Sequence, residues 1–404
     1  MLRSKYRLGS VLLIGAIAVL ILITSCANPV IAVDRIFLDM SLDFLGEYQL
    51  PKMSFLDTPV GGLSAITYDR RRDRFYALCD DPRFAPARFY TLKLALNSTD
   101  LEKIGIQKID FENVTFLADK DDQTYPKGAI APKGIVVTPQ KTVFISGVGV
   151  TPDRVVPFVQ EFDINSGQML QSLPIPDRYV PDTADKSELT RGVQETSAFA
   201  SLTLNPTGTI PASGEAIRLF TATESALVQD LDSPSSEQGA KSRLLHYLIG
   251  YGPPVLISEY FYPLEPTPNG TISNGLVEML AVDQGGHFLS LERSQGPAGF
   301  SVQIFQFASG GATDTSKIPS LKGSLNGIKP VKKKLLLDLN ELGIPLDNLQ
   351  GMTLGPRLPD GTQSLLLVSD DNFNEEQVTQ FLLFRLKTPK PKVSFSRQAS
   401  ANHT

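Results

Sequence analysis

Five stretches of this chain repeat one pattern at long period, and no other feature constrains the fold as strongly. Each is a short apolar run, a turn containing Asp, Pro or Gly, and a second apolar run. They are SAITYDRRRDRFYALCDD from Ser64, KGIVVTPQKTVFISG from Lys133, ASLTLNPTGTIPASGEAIRLFTATE from Ala200, EMLAVDQGGHFLSLER from Glu278 and QGMTLGPRLPDGTQSLLLVSDD from Gln350. Their starts lie 69, 67, 78 and 72 residues apart. A unit of this size cannot bury its apolar faces alone, so it must stack on copies of itself.

Further strand-like sequence follows each hairpin. VVPFVQEFDI (Val155 to Ile164) and QMLQSLPI (Gln168 to Ile175) follow the second, and RLLHYLI (Arg243 to Ile249) and PVLISEYFYPL (Pro254 to Leu264) the third. FSVQIFQF (Phe300 to Phe307) and KKLLLDL (Lys333 to Leu339) follow the fourth. Four antiparallel strands per unit predict an all-β propeller of five blades. A count of six and an irregular β-sandwich stay open as alternatives. The fifth unit supplies only three strands, ending in TQFLLFRL (Thr379 to Leu386). Its fourth is expected from LDFLGEYQLP (Leu42 to Pro51), which would close the ring and remove an open edge. No stretch reads as a long amphipathic helix.

Arg3, Lys5 and Arg7 precede VLLIGAIAVLILI (Val11 to Ile23), an apolar run of 13 residues. That is short of the ~20 needed to span a bilayer and suits a signal peptide. ITSC then resembles a bacterial lipobox with Cys26 as the lipidated residue, with Ser25 a less usual neighbour; cleavage after VIA (Val30 to Ala32) is the rival reading. The expected organisation is a lipoprotein-type signal peptide over 1–25, a linker over 26–41, the propeller over 42–388 and a flexible tail over 389–404. The expected location is the periplasm, or the outer membrane through the lipid anchor, with no other membrane contact. A formal net charge of −5 gives no electrostatic reason to expect nucleic acid. With two cysteines and three histidines a Cys/His zinc site is not expected.

In a propeller, the residue opening the first strand and the residue closing the second meet at one rim. The closing positions read as Asp80, Gly147, Glu224, Glu292 and Asp370, with Asp81, Arg293, Asp371 and Asn372 adjoining. Oxygen ligands converging from several strands suit Ca²⁺ or Mg²⁺ better than a soft metal. Asp80, Asp81, Asp370, Asp371 and Asn372 are therefore the candidate metal ligands, and Glu224, Glu292 and Asp370 the candidate catalytic carboxylates. The opening positions read as Ser64, Lys133, Ala200, Glu278 and Gln350. Lys133 and Arg293 would bind an anionic substrate. Asp and Asn also end strands because they make turns, which is the bland alternative.

These residues carry a resemblance to the phytase-like family, named for an esterase-like activity of phytase and found in exported bacterial and plant proteins. It covers residues 42–388 and is most specific in GGLSAITYD and FYALCDD (Gly61 to Asp81), TATESALVQD (Thr221 to Asp230), LSLERS (Leu289 to Ser294) and GPRLPDGTQSLLLVSDDNF (Gly355 to Phe373). The resemblance implies a propeller that hydrolyses a small-molecule ester or phosphoester, with calcium as cofactor. Three departures stand out: PKGI with Lys133, FASL with Ala200 and LQGM with Gln350, where the family typically has glutamate. They leave a second expectation open, a degenerate propeller that binds partners or serves as an envelope scaffold. Protein partners are not readable from the sequence.

Other catalytic templates are missing. There is no GxSxG elbow, no P-loop and no GxGxxG. His246 lies in an apolar strand and reads as structural, His287 falls at the opposite rim, and His403 is in the tail.

Overall fold

The computed structural model describes residues 36–80, 85–97, 103–150, 155–183, 188–194, 197–205, 215–232, 239–266 and 270–388. Cys26, the signal segment and the tail expected over 389–404 lie outside the described residues, as does Asp81. Strand β1 (Ser41–Leu50) is followed by a small hairpin of β2 (Met53–Phe55) and β3 (Thr58–Val60). Blade 1 is β4 (Leu63–Asp69), β5 (Arg74–Cys79), β6 (Arg88–Asn97) and β7 (Gly105–Phe116). Blade 2 is β8 (Ile130–Val137), β9 (Thr142–Val150), β10 (Val155–Asp163) and β11 (Met169–Ser172). Blade 3 is β12 (Phe199–Leu204), β13 (Ile217–Thr223), β14 (Lys241–Ile249) and β15 (Val255–Pro263). Blade 4 is β16 (Ser273–Ala281), β17 (His287–Gly296), β18 (Gly299–Ala308) and β19 (Lys332–Asp338).

Blade 5 takes β20 (Leu349–Arg357), β21 (Gln363–Ser369) and β22 (Thr379–Lys387) from the end of the chain and β1 from its start. Antiparallel pairing runs from Ser41↔Lys387 to Leu50↔Thr379, so the expected closing strand is present. The Gln380 amide donates to Glu47 Oε1 at 2.9 Å, and the Lys387 ammonium meets Asp43 at 2.5 Å. The inner strands touch in the cyclic order β4, β8, β12, β16, β20 and back to β4, which makes this a five-bladed β-propeller. Among the described residues, helix is limited to the short 3-10 segments Asp177–Tyr179, Val228–Asp230 and Leu339–Leu342.

Each blade is covered on both faces, which explains the unbroken apolar runs of the second strands. Successive side chains on a strand point to opposite faces. Thus Leu366 and Val368 of β21 enter the core shared with blade 1, whereas Leu365 and Leu367 enter the core shared with blade 4. In β9, Phe144 packs towards blade 3 and Ile145 towards blade 1. Five apolar clusters result, one in each cleft between neighbouring blades. Truncating one of these fully buried leucines to alanine costs about 2–5 kcal/mol, because the cleft cannot collapse around the gap.

The long excursion between β18 and β19 covers the outer edge of blade 3. The Thr315 N–H donates to the Glu259 carbonyl at 2.7 Å and the Val331 N–H to the Phe261 carbonyl at 3.0 Å. Both accept on edge strand β15, which would otherwise offer unpaired groups to another chain.

Candidate functional site

A one-residue bulge opens every inner strand at the same rim. The pairing with the second strand slips between Leu63 and Ala65, Pro132 and Gly134, Phe199 and Ser201, Leu276 and Glu278, and Leu349 and Gly351. The extra residues are Ser64, Lys133, Ala200, Val277 and Gln350. A bulge leaves its extra residue out of the ladder and re-aims its side chain. The sequence reading therefore needs one correction here: the equivalent position in blade 4 belongs to Val277, not Glu278.

Opposite these bulges stand Cys79, Gly147, Thr223, Glu292 and Ser369. One residue further along come Asp80, Val148, Glu224, Arg293 and Asp370. The Asp80, Glu224 and Asp370 N–H groups donate back to Gly62, Ala198 and Asn348 at 2.8–3.0 Å, fixing their register. So Asp80, Glu224 and Asp370 share one position as expected. In blades 2 and 4 the sequence alignment was displaced by one, and the rim residues there are Val148 and Arg293. Because side chains alternate, that single step puts Glu292 on the other face. Its carboxylate accepts from Tyr262 O–H at 2.7 Å, the Glu265 N–H at 2.8 Å and the Lys333 ammonium at 2.5 Å. Glu292 is thus a buried partner for Lys333, which also lies 4.3 Å from the Phe305 ring centroid.

One charged residue per blade lines the rim: Asp80, Lys133, Glu224, Arg293 and Asp370, alternating in sign. The Lys133 ammonium donates to Asp80 Oδ2 at 2.8 Å. Burial alone would lower its affinity for a proton, but the charges of Asp80, Glu224 and Asp370 outweigh that and hold it above the ordinary lysine range. Arg293 reaches Glu224 Oε1 at 3.4 Å and donates to the Asn348 side-chain oxygen. Five is an odd number, so a ring of alternating charges must contain one like-charged junction. It falls where blade 5 meets blade 1, at Asp370 and Asp80. Burial first, and the Asp80 charge second, push the Asp370 carboxyl well above the usual carboxylate range. The Gln350 amide donates to Asp370 Oδ2 at 3.4 Å. The Lys133 and Glu224 side chains keep 19% and 17% of their surface exposed, enough for a small ligand to touch them.

The other predicted residues serve elsewhere. Asp371 accepts from the Gly62 N–H at 2.9 Å and the Phe373 N–H at 3.1 Å and pairs with Lys52, fastening the segment before β4 to the last blade. Asn372 sits in an exposed turn at φ 48° and donates to Gln377 Oε1 at 3.0 Å. His246 is structural: it is buried, stacked on Phe220 at 4.3 Å, and its Nδ1 lies 3.3 Å from Ser258 Oγ. Sequence reasoning missed Asn348, which orients Arg293. It also missed the role of Glu278, whose buried carboxyl accepts backbone N–H groups of Leu202, Met279 and Met352. These come from blades 3, 4 and 5, so Glu278 ties three inner strands together. The signal was there: the aligned residues are Ala65, Gly134, Ser201 and Gly351, all small, and Glu278 is the one large member.

A divalent cation would need several oxygen donors free of internal cations. Among the described residues no group of three or more His, Cys, Asp or Glu side chains is arranged to hold a metal ion. The Lys133 ammonium already pairs with Asp80 and is acted on by the charges of Glu224 and Asp370. The residues present therefore do not fit a divalent cation at this point.

A family model described as the esterase-like activity of phytase matches residues 58–373. No curated protein matches the chain. Among solved structures, an endo-arabinase from Bacteroides thetaiotaomicron is 12% identical, with 82% of this chain and 96% of that one covered, at a TM-score of 0.35. A glycosyl hydrolase from Bacteroides ovatus is 9% identical, with 84% and 94% covered, at a TM-score of 0.41. Likenesses this loose carry no argument about chemistry.

Proposed function

The chain belongs to the phytase-like family, and from that premise we propose that it hydrolyses a small-molecule ester or phosphoester at the charged rim without a divalent cation. The observation that supports this most is that Asp80, Glu224 and Asp370 share one rim position in three blades, with Lys133 paired to Asp80 and within the field of the other two. A carboxyl group that its surroundings keep protonated can serve as the acid of such a site. Asp370, held protonated, is the proton donor. Glu224 is the base in preference to Asp80, because its partner Arg293 stands at 3.4 Å whereas Asp80 is engaged by Lys133 at 2.8 Å. Glu224 takes a proton from water, the oxygen attacks the acyl or phosphoryl centre, and Asp370 protonates the departing alcohol. Lys133 and Arg293 stabilise the negative oxygen that develops on that centre.

The test is turnover of aryl ester and aryl phosphate substrates by the purified protein, beside D370N and E224Q. Losing a general acid or base lowers the rate by about 10²–10⁴-fold. Turnover unchanged in both variants would sink the assignment. No turnover at all would favour the second reading, a binding or scaffold protein, to which the internal pairing of Lys133 with Asp80 and of Arg293 with Glu224 already lends support. Export and lipid attachment at Cys26 belong to the same proposal. Membrane fractionation of the natural chain and C26A, with the mass of the mature protein, tests them.

A further inference from the structure

We infer that Asp80 sets the substrate class of the rim: by neutralising Lys133 it favours esters that bring at most one negative charge, carboxylic esters and phosphodiesters, over phosphomonoester dianions. The inference rests on the hydrolytic reading in taking the rim as the place where substrate binds, and it narrows that reading to one class of substrate.

Each rim cation lies beside a carboxylate from the neighbouring blade. The Lys133 ammonium of blade 2 donates to Asp80 Oδ2 of blade 1 at 2.8 Å, and Arg293 of blade 4 reaches Glu224 Oε1 of blade 3 at 3.4 Å. Asp370 adds no charge while it keeps its proton, which its burial and the Asp80 charge favour. Two cations therefore face two carboxylates, and the rim is close to neutral. A phosphomonoester dianion would leave water for a place where each positive group already has a partner, so little repays its dehydration. It would also meet Asp80 and Glu224 wherever it met Lys133 and Arg293. A carboxylic ester or a phosphodiester avoids most of that cost. The pull of the two cations is then kept for the charge that develops as water attacks, where it raises the rate. Asp80 decides the matter rather than Glu224, because its contact is the closer and Glu224 gives up its charge on taking the proton from water. A donor is left over for a ligand oxygen: Arg293 is 8% exposed, and its Nε–H has no acceptor among the described residues. A buried donor without a partner is uncommon in a native fold, and a partner that arrives with the ligand accounts for it.

Calorimetric titration in mild alkali with two probes tests this. One is phenyl phosphate, a dianion there because its second proton leaves at about pH 6; the other is methyl phenyl phosphate, a monoanion throughout. The natural chain is expected to bind the monoanion at least ~10-fold more tightly than the dianion, and D80N to bind the dianion at least ~10-fold more tightly than the natural chain does, since a negative charge beside Lys133 is gone. If D80N does not fold, titrating the natural chain at about pH 5 takes its place, because phenyl phosphate then carries one charge and should approach the affinity of methyl phenyl phosphate. Equal affinity of the natural chain for the two probes in alkali would overturn the inference, as would an unchanged D80N or no binding of either probe. Turnover separates it from the reading on which it rests. Selective binding with no turnover of aryl acetate or diaryl phosphate leaves the charge selectivity standing and removes the hydrolytic reading. Turnover in which aryl phosphate is taken as readily as the diester does the reverse.

Discussion

Arg243 is fully buried and binds two carboxylates at once, so replacing it with methionine gives a strong and specific expectation. Its Nε and one terminal nitrogen donate to the two oxygens of Asp230 at 2.6 and 2.9 Å. The other terminal nitrogen donates to Glu259 Oε1 at 2.5 Å and to the Ile318 carbonyl at 3.1 Å. Methionine fills most of the volume but leaves Asp230 and Glu259 without their cation. Breaking a buried pair in this way costs about 3–5 kcal/mol. Partial support remains: Glu259 keeps the Arg178 guanidinium at 2.5 Å and the Tyr179 hydroxyl at 2.7 Å, and Asp230 keeps the Leu321 N–H at 2.7 Å. The lower end, about 3 kcal/mol, is therefore expected. At an unfolding entropy of about 2 cal/mol/K per residue, a domain of this size loses about 1.4 °C per kcal/mol, so Tm should fall by about 4 °C. The same network holds the excursion covering β15, so limited proteolysis between 309 and 331 should accelerate. Adding D230N to R243M should recover part of the loss, since one uncompensated charge is then gone. A Tm within 1 °C of the natural protein, with unchanged proteolysis, would refute the claim that this ion network docks the excursion.

His246 is pushed down to about 4 by burial and, to a smaller extent, by Arg218. The folded state refuses a proton that the unfolded chain accepts near its ordinary value, so stability is full above that value and drains away as pH falls towards 4. The loss is about 3 kcal/mol; H246F should lack it, and urea midpoints at neutral and acid pH for both proteins compare the two directly. Asp370 works in the opposite sense, because its raised proton affinity makes stability fully present in acid and lost as pH rises through that value. D370N should accordingly be more stable than the natural protein under alkaline conditions while being less active, and equal denaturation midpoints there would contradict the like-charge junction. At Gly275 a Cβ would lie 2.4 Å from Glu224 Cγ, the flexible part of a side chain that can swing away. G275A should lower turnover or ligand binding by displacing the Glu224 carboxylate, with stability changed by less than about 1 kcal/mol; a large Tm loss with normal activity would show that Gly275 is needed for packing instead.

What the sequence determined by itself was the architecture. The repeat of hairpins at a period near 70, with apolar runs of strand length, is dictated by a blade that must bury both faces against its neighbours. The unmatched fifth unit pointed to the closing strand, because an open edge would otherwise remain, and β1 pairs there along its whole length. The charges of Asp80, Lys133, Glu224 and Asp370 at strand ends were legible for the same reason: strand ends alone reach the rim. Tertiary structure decided which face each of them shows. A bulge adds one residue to a strand of period two, and nothing in the local sequence says where the slip occurs, so Glu278 and Glu292 looked equivalent to rim residues and are instead buried in two other networks. Only folding could bring Leu321 to Asp230 and Ile318 to Arg243, since those contacts depend on an excursion from blade 4 lying along the edge of blade 3. The like-charge junction of Asp370 and Asp80 belongs to this second class too, because residues at opposite ends of the domain become neighbours only when five blades close into a ring.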